Sequence, residues 1–167
     1  MGKRKLYYLM AAFLVSWTVQ VIADKQVLAS NQVADKPDSY RGPGLGEIMG
    51  VIQQQHAKLF FAGRAQNWEL AQYQLDEIKE GFEMAERLHP NFKTVSAPLP
   101  KIIPVMMQTS MDDLSQAIGF KDASAFLKSY DALTFSCNNC HNAAKFDFIV
   151  IQRPSASEHS NIMFDNK

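Results

Sequence analysis

Four stretches of the chain carry apolar residues at helical spacing. From Leu45 they recur at Leu45, Ile48/Met49, Ile52, His56 and Leu59/Phe60, a stripe that predicts a helix ending near Gly63. Asn67 is a good N-cap for a second helix, with Glu69 in its first turn. Trp68, Ala71, Leu75, Ile78, Phe82 and Ala85 form its core face, and His89-Pro90 stops it. Pro90–Pro104 holds four prolines and reads as a loop, with Pro104 in the first turn of a third helix. That helix shows Ile103, Met107, Met111, Leu114 and Ile118 on one side, and Gly119 closes it. Asp122 caps a fourth, whose stripe is Phe126, Tyr130, Leu133, Cys137, Cys140 and Ala144. The body lacks strand alternation except at Phe146–Ile151 (FDFIVI), before Arg153-Pro154 and a polar tail. The fold class expected is all-α. It is a four-helix bundle over 45–146, with an N-terminal signal peptide and a C-terminal extension over 147–167.

The first residues have another pattern. Lys3, Arg4 and Lys5 precede the continuous apolar run Leu6–Val15, which tapers through Ser16–Ala23. This is the layout of a secretory signal over 1–23, with Val21 and Ala23 before a cut at Asp24. An uncleaved anchor is the alternative, and only then would the chain touch a membrane. The interruptions at Ser16, Thr18 and Gln20 leave the run short of the ~20 residues of a spanning helix. Residues 24–44 contain Pro37, Gly42, Pro43 and Gly44 without apolar periodicity, and read as linker. The body is expected outside the cytoplasm, in the periplasm.

Charge changes with this division. The whole chain has 17 Lys+Arg and 17 Asp+Glu, but without residues 1–23 it has 14 basic and 17 acidic side chains. A mildly acidic body argues against nucleic-acid binding, which needs a basic face to displace counterions. The second helix carries Glu69, Asp76, Glu77, Glu80, Glu83 and Glu86 against Lys79 and Arg87. It is either a solvated face or a docking surface for a basic redox partner.

The chain has two cysteines, too few for a disulfide scaffold or a four-cysteine zinc site. Both fall in Cys137-Asn-Asn-Cys140-His141, and C-x-x-C-H is the haem c attachment signature. On a helix, positions i and i+3 share a face, so two thiols can reach one edge of a porphyrin as thioethers. His141 projects from the same turn and can ligate the iron. Three alternatives compete. A thioredoxin-like pair wants a strand before the motif and the first cysteine at a helix start. Zinc needs a fourth ligand and a comfortable bite from adjacent Cys140 and His141. A disulfide at this spacing distorts the helix.

An exported helical bundle with one C-x-x-C-H on its last helix resembles the cytochrome c′ family, including its low-spin six-coordinate relatives. The specific match spans Tyr130–Lys145. The resemblance implies a four-helix bundle with one covalent haem c. It also implies a basic residue four positions after the histidine, here Lys145, near the haem edge. The chain departs from that pattern in Phe146–Lys167, where the family usually stops soon after the motif.

The resemblance also implies that the distal side of the iron comes from the first helix, where Met49 and His56 can ligate. If the first and fourth helices run antiparallel, Met49 or Ile52 faces His141, and His56 lies about 10 Å further along. Gly50 would admit close approach of the porphyrin. Met49 is the candidate distal ligand and His56 the alternative. An open distal side, with His56 a satisfied core or propionate-binding residue, is the third arrangement.

The expected function is one-electron transfer by a periplasmic monohaem cytochrome, an electron carrier or haem-binding protein rather than an enzyme. Its partners would be redox proteins, with a homodimer left open. The alternatives are nitric oxide or carbon monoxide binding at five-coordinate haem, in sensing or detoxification, and a cofactor-free helical interaction module.

Overall fold

The computed structural model describes residues 42–156 and 161–165. The expected signal segment 1–23, and all of the expected linker before Gly42, lie outside the described residues. Among those described there are four α-helices and no strand: α1 Leu45–Arg64, α2 Trp68–Leu88, α3 Leu99–Gly119 and α4 Ala123–Ala143. None is long and apolar enough to cross a membrane.

The expected caps form. The Asn67 side chain accepts from the Leu70 N–H at 3.2 Å, and Asp122 accepts from the Ser124 and Ala125 N–H groups. At the start of α1, Glu47 reaches back to accept from the Gly44 N–H at 2.8 Å.

The first helix ends at Arg64, beside Gly63, and the third at Gly119, as expected, but neither glycine is the left-handed capping residue. The left-handed residue that terminates each helix is Gln66 (φ 57°) and Lys121 (φ 57°). In each case two bonds close a Schellman motif: Gln66 N–H to Gly63 O with Asn67 N–H to Ala62 O, and Lys121 N–H to Ile118 O with Asp122 N–H to Ala117 O. The position is dictated by the next helix. The residue that completes each C-cap is already the N-cap of its successor, so the left-handed residue has one place to stand, glycine or not.

Gly63 serves a different purpose. A Cβ there would lie 2.0 Å from the Phe126 ring, so the missing side chain lets α1 and α4 meet. The start of α3 is also earlier than expected. It begins at Leu99 with Pro100 in the first turn, and Pro104 lies inside it on the exposed side. Leu99 and Ile103 are buried, and their burial fixes this turn as helix although Pro104 cannot donate to the carbonyl of Pro100.

All four helices feed one core. Leu59, Leu75, Ile78, Met107, Leu114, Phe126, Tyr130 and Leu133 are its fully buried members. The three-residue connections 65–67 and 120–122 make α1/α2 and α3/α4 antiparallel hairpins, whose helices pack most extensively on each other. The α1/α4 seam is sparser than either hairpin and than the α2/α3 seam. It is antiparallel: Gly63 meets Phe126, the Phe60 ring sits 5.1 Å from Tyr130, and His56 bonds to Tyr130 and Thr134.

After α4 the strand considered at 146–151 is absent. Lys145 (φ 62°) closes a third Schellman motif, with Phe146 N–H bonded to His141 O and Lys145 N–H to Asn142 O. The chain then turns, with Ile149 N–H donating to Phe146 O, and runs back along α4. Among the described residues no strand offers it a ladder, and Ile149 O and both backbone groups of Ile151 pair with side chains of the helix instead.

Candidate functional site

A cavity of about 370 Å³ opens where α1 and α4 part, at the end of the bundle away from the two tight connections. That lies within the roughly 300–1,000 Å³ of small-molecule sites. Its walls are mostly apolar, with Ile52, Phe82, Leu99, Ile103 and Met107 at the back and Phe92, Val95 and Phe146 from the connecting segments. Cys137, Cys140 and His141 of α4 line it, as do Met49 and His56 of α1. The structure thus brings the attachment motif and both distal candidates to one cavity. Lys145 does not line it; it is exposed and occupies the left-handed cap position after α4.

The two thiols are unpaired and partly buried. Burial pushes the Cys137 thiol up to about 12, with the neighbouring Cys140 adding to the effect, and burial raises Cys140 as well. Both are neutral thiols at pH 7. A disulfide oxidoreductase needs the opposite, a depressed thiol at a helix start, whereas these lie in the last two turns of α4. Among the described residues no group of three or more His, Cys, Asp and Glu is arranged to hold a metal ion, so the zinc alternative finds no ligand set there.

His141 is held from behind. Its Nδ1 lies 2.8 Å from the carbonyl oxygen of Ile149. A carbonyl only accepts, so Nδ1 carries the proton and a neutral ring has its lone pair on Nε2. Metal-binding histidines are oriented in this way.

His56 is bound on both sides. Its Nε2 is 3.0 Å from Thr134 Oγ1, and that hydroxyl donates to the Tyr130 carbonyl at 2.9 Å. Its Nδ1 is 2.9 Å from the Tyr130 hydroxyl, which also reaches the His56 carbonyl oxygen at 3.1 Å. With the proton on Nε2, Thr134 accepts from the ring and Tyr130 donates to it. Neither nitrogen then has a free lone pair. The rings of His56 and Tyr130 also stack at 4.4 Å.

Burial pulls His56 down to about 4. The folded protein therefore keeps it neutral while the unfolded chain protonates it near 6.5. The corresponding stability is complete above pH ~6.5 and is lost as pH falls towards 4, by roughly 3 kcal/mol. Urea unfolding at pH 7.5, 5.5 and 4.5 checks this. The stability of His56→Gln will fall less steeply than that of the natural chain, and parallel curves would refute the assignment.

Depth along the seam separates Met49 from His56. Moving seven residues from Gly63 back to His56 moves the contact on α4 from Phe126 to Tyr130 and Thr134. Seven more, about two turns, bring Met49 level with about 137–141. Gly46 and Gly50 lie one turn apart on the same wall, and a Cβ on either would meet nothing within 4 Å. They leave a shallow cradle beside Met49 that any side chain would fill.

Sequence reasoning did not reach Thr134, Asn138 or Ile149. Asn138 sits inside the motif as one of its two variable residues, and its role depends on a strap that follows the helix. No family model, curated protein or solved structure matches this chain.

Proposed function

We propose that this chain is an exported c-type cytochrome that carries one covalent haem and transfers single electrons. The observation that carries the reading is the meeting of Cys137, Cys140, His141 and Met49 on one apolar cavity, with His141 held so that Nε2 is free to ligate. The residues fit the group. Cys137 and Cys140 would hold it by thioethers, His141 would be the proximal ligand, and the Gly46/Gly50 cradle leaves room on the α1 side. When bound, haem would supply an Fe(III)/Fe(II) couple in a largely apolar site.

Met49 is the preferred distal ligand. It stands level with the motif, whereas His56 lies about two turns deeper and spends both nitrogens on Tyr130 and Thr134. A protein ligand on each side favours electron transfer over binding of nitric oxide or carbon monoxide. The basic N-terminal tract followed by an apolar run supports export to the periplasm. Largely exposed carboxylates on α2 fit a basic redox partner.

The test is the absorption spectrum of protein exported alongside haem c maturation machinery. The expected result is a low-spin spectrum whose ferric form shows the far-red methionine charge-transfer band. Met49→Ala will lose that band and His56→Gln will keep it. A high-spin spectrum would overturn electron transfer in favour of gas binding. Absence of covalent haem would remove both readings and leave a helical interaction module.

A further inference from the structure

We infer that Asn138 is a positioning residue for His141, acting through the carboxyl-terminal strap 146–153. The inference rests on the haem reading above for its functional meaning, but its geometry is independent of it.

Asn138 and His141 are three residues apart on α4 and so point to the same side. The Asn138 side chain makes two bonds to one residue of the strap. Its Nδ2 donates to Ile151 O at 2.9 Å, and its Oδ1 accepts from Ile151 N–H at 2.8 Å. The amide thus replaces the neighbouring strand that the segment lacks, offering a donor and an acceptor at peptide-like spacing. Two residues upstream of this clamp, the Ile149 carbonyl meets His141 Nδ1 at 2.8 Å.

The segment between is short and restrained at both ends. Upstream, Phe146 N–H is bonded to His141 O, and Ile149 N–H to Phe146 O. Downstream, the Arg153 guanidinium forks onto both oxygens of Asp131 at 2.6 Å each. With both sides pinned, the Ile149 oxygen stays in reach of the imidazole. Aspartate at 138 would lack the donor, and alanine would lack both groups.

The chemical effect has a sign. Donation from Nδ1–H to a carbonyl raises the basicity of Nε2. A more basic ligand favours the higher charge on iron, so the clamp lowers the reduction potential of the bound group. Loss of the clamp raises it.

Two measurements on the full chain test this. The first needs no cofactor: nitrogen-15 spectra of histidine in protein made without haem maturation. His141 should show the Nδ1–H tautomer, and Asn138→Ala should shift it to mainly Nε2–H, the usual form of a free neutral imidazole. The second is a redox titration of haem-loaded protein, where Asn138→Ala should retain covalent haem with an upward shift in midpoint potential. Arg153→Ala, an exposed change that loosens the other anchor, should move both readouts in the same direction by less. It decides the matter if Asn138→Ala does not fold. Unchanged tautomer and potential in folded variants would overturn the positioning role while leaving the haem reading intact. A natural chain that takes up no covalent haem would remove the haem reading, while the tautomer measurement still decides the clamp.

Discussion

On the proposed haem reading, replacing Cys137 and Cys140 together by alanine will leave a chain without covalent haem, whereas each single replacement will keep one thioether. The two thiols sit one turn apart on the cavity side of α4, so they present a matched pair to a single planar edge. Haem staining of the denatured polypeptide reads the outcome directly, because only a covalent bond survives denaturation. The single variants should show an α-band shifted to the red, since one vinyl group stays conjugated. Thiol acidity gives a further expectation. Both cysteines are kept neutral by burial, so in haem-free protein they should react slowly with alkylating reagents at pH 7. Covalent haem on the double variant would sink the assignment of the motif.

Among single substitutions, the largest effect on stability is expected at Gly63. A glycine inside a helix normally costs up to about 1 kcal/mol relative to alanine, so Gly→Ala at an open helical site should stabilise. Gly119 is such a site, with nothing within 4 Å of the added carbon. At Gly63 the same carbon would meet three atoms of the Phe126 ring at 2.0, 2.1 and 2.6 Å. That ring is fully buried and has aromatic neighbours in Trp68 and Tyr130, so it cannot simply swing away. Overpacking of this kind costs about 1–3 kcal/mol and sometimes more, which exceeds the propensity gain. Gly63→Ala is therefore expected to destabilise by roughly 2 kcal/mol and Gly119→Ala to stabilise by up to about 1 kcal/mol. Phe126→Leu should recover part of the first loss in a double-mutant cycle on urea unfolding. If the two glycine variants change stability with the same sign, the close approach of α1 and α4 is wrong.

What the chain reveals before folding divides by distance. Asn67 and Asp122 announce their helices because a cap acts within three residues. The stripes through Ile78, Leu114 and Leu133 are legible because one face of a helix repeats every turn. Cys137, Cys140 and His141 share a turn, so their meeting on one cavity follows from spacing alone. The errors arise where a distant partner decides. Gly63 stands one residue from the end of α1, but its stripe does not reveal that Phe126 packs against it. Phe146–Ile151 resembles a strand until Asn138 supplies the pairing that a sheet would have given. Pro104 resembles a helix start, but burial of Leu99 and Ile103 carries the helix a turn earlier. His56 could be named from the sequence, but its two hydroxyl partners lie 74 and 78 residues away.

Both three-residue connections lie at the end of the bundle opposite the cavity. This has a consequence for the order of assembly. Each hairpin is built from contacts close in sequence, the kind that form early. Each tight connection can form its own hairpin first, while the far end is held by the segment 89–98, the strap after α4 and the bond between His89 and the Pro43 carbonyl. The cysteines belong to that late-closing end. The residues that line the cavity, drawn from both hairpins and the strap, are therefore among the last to be brought together.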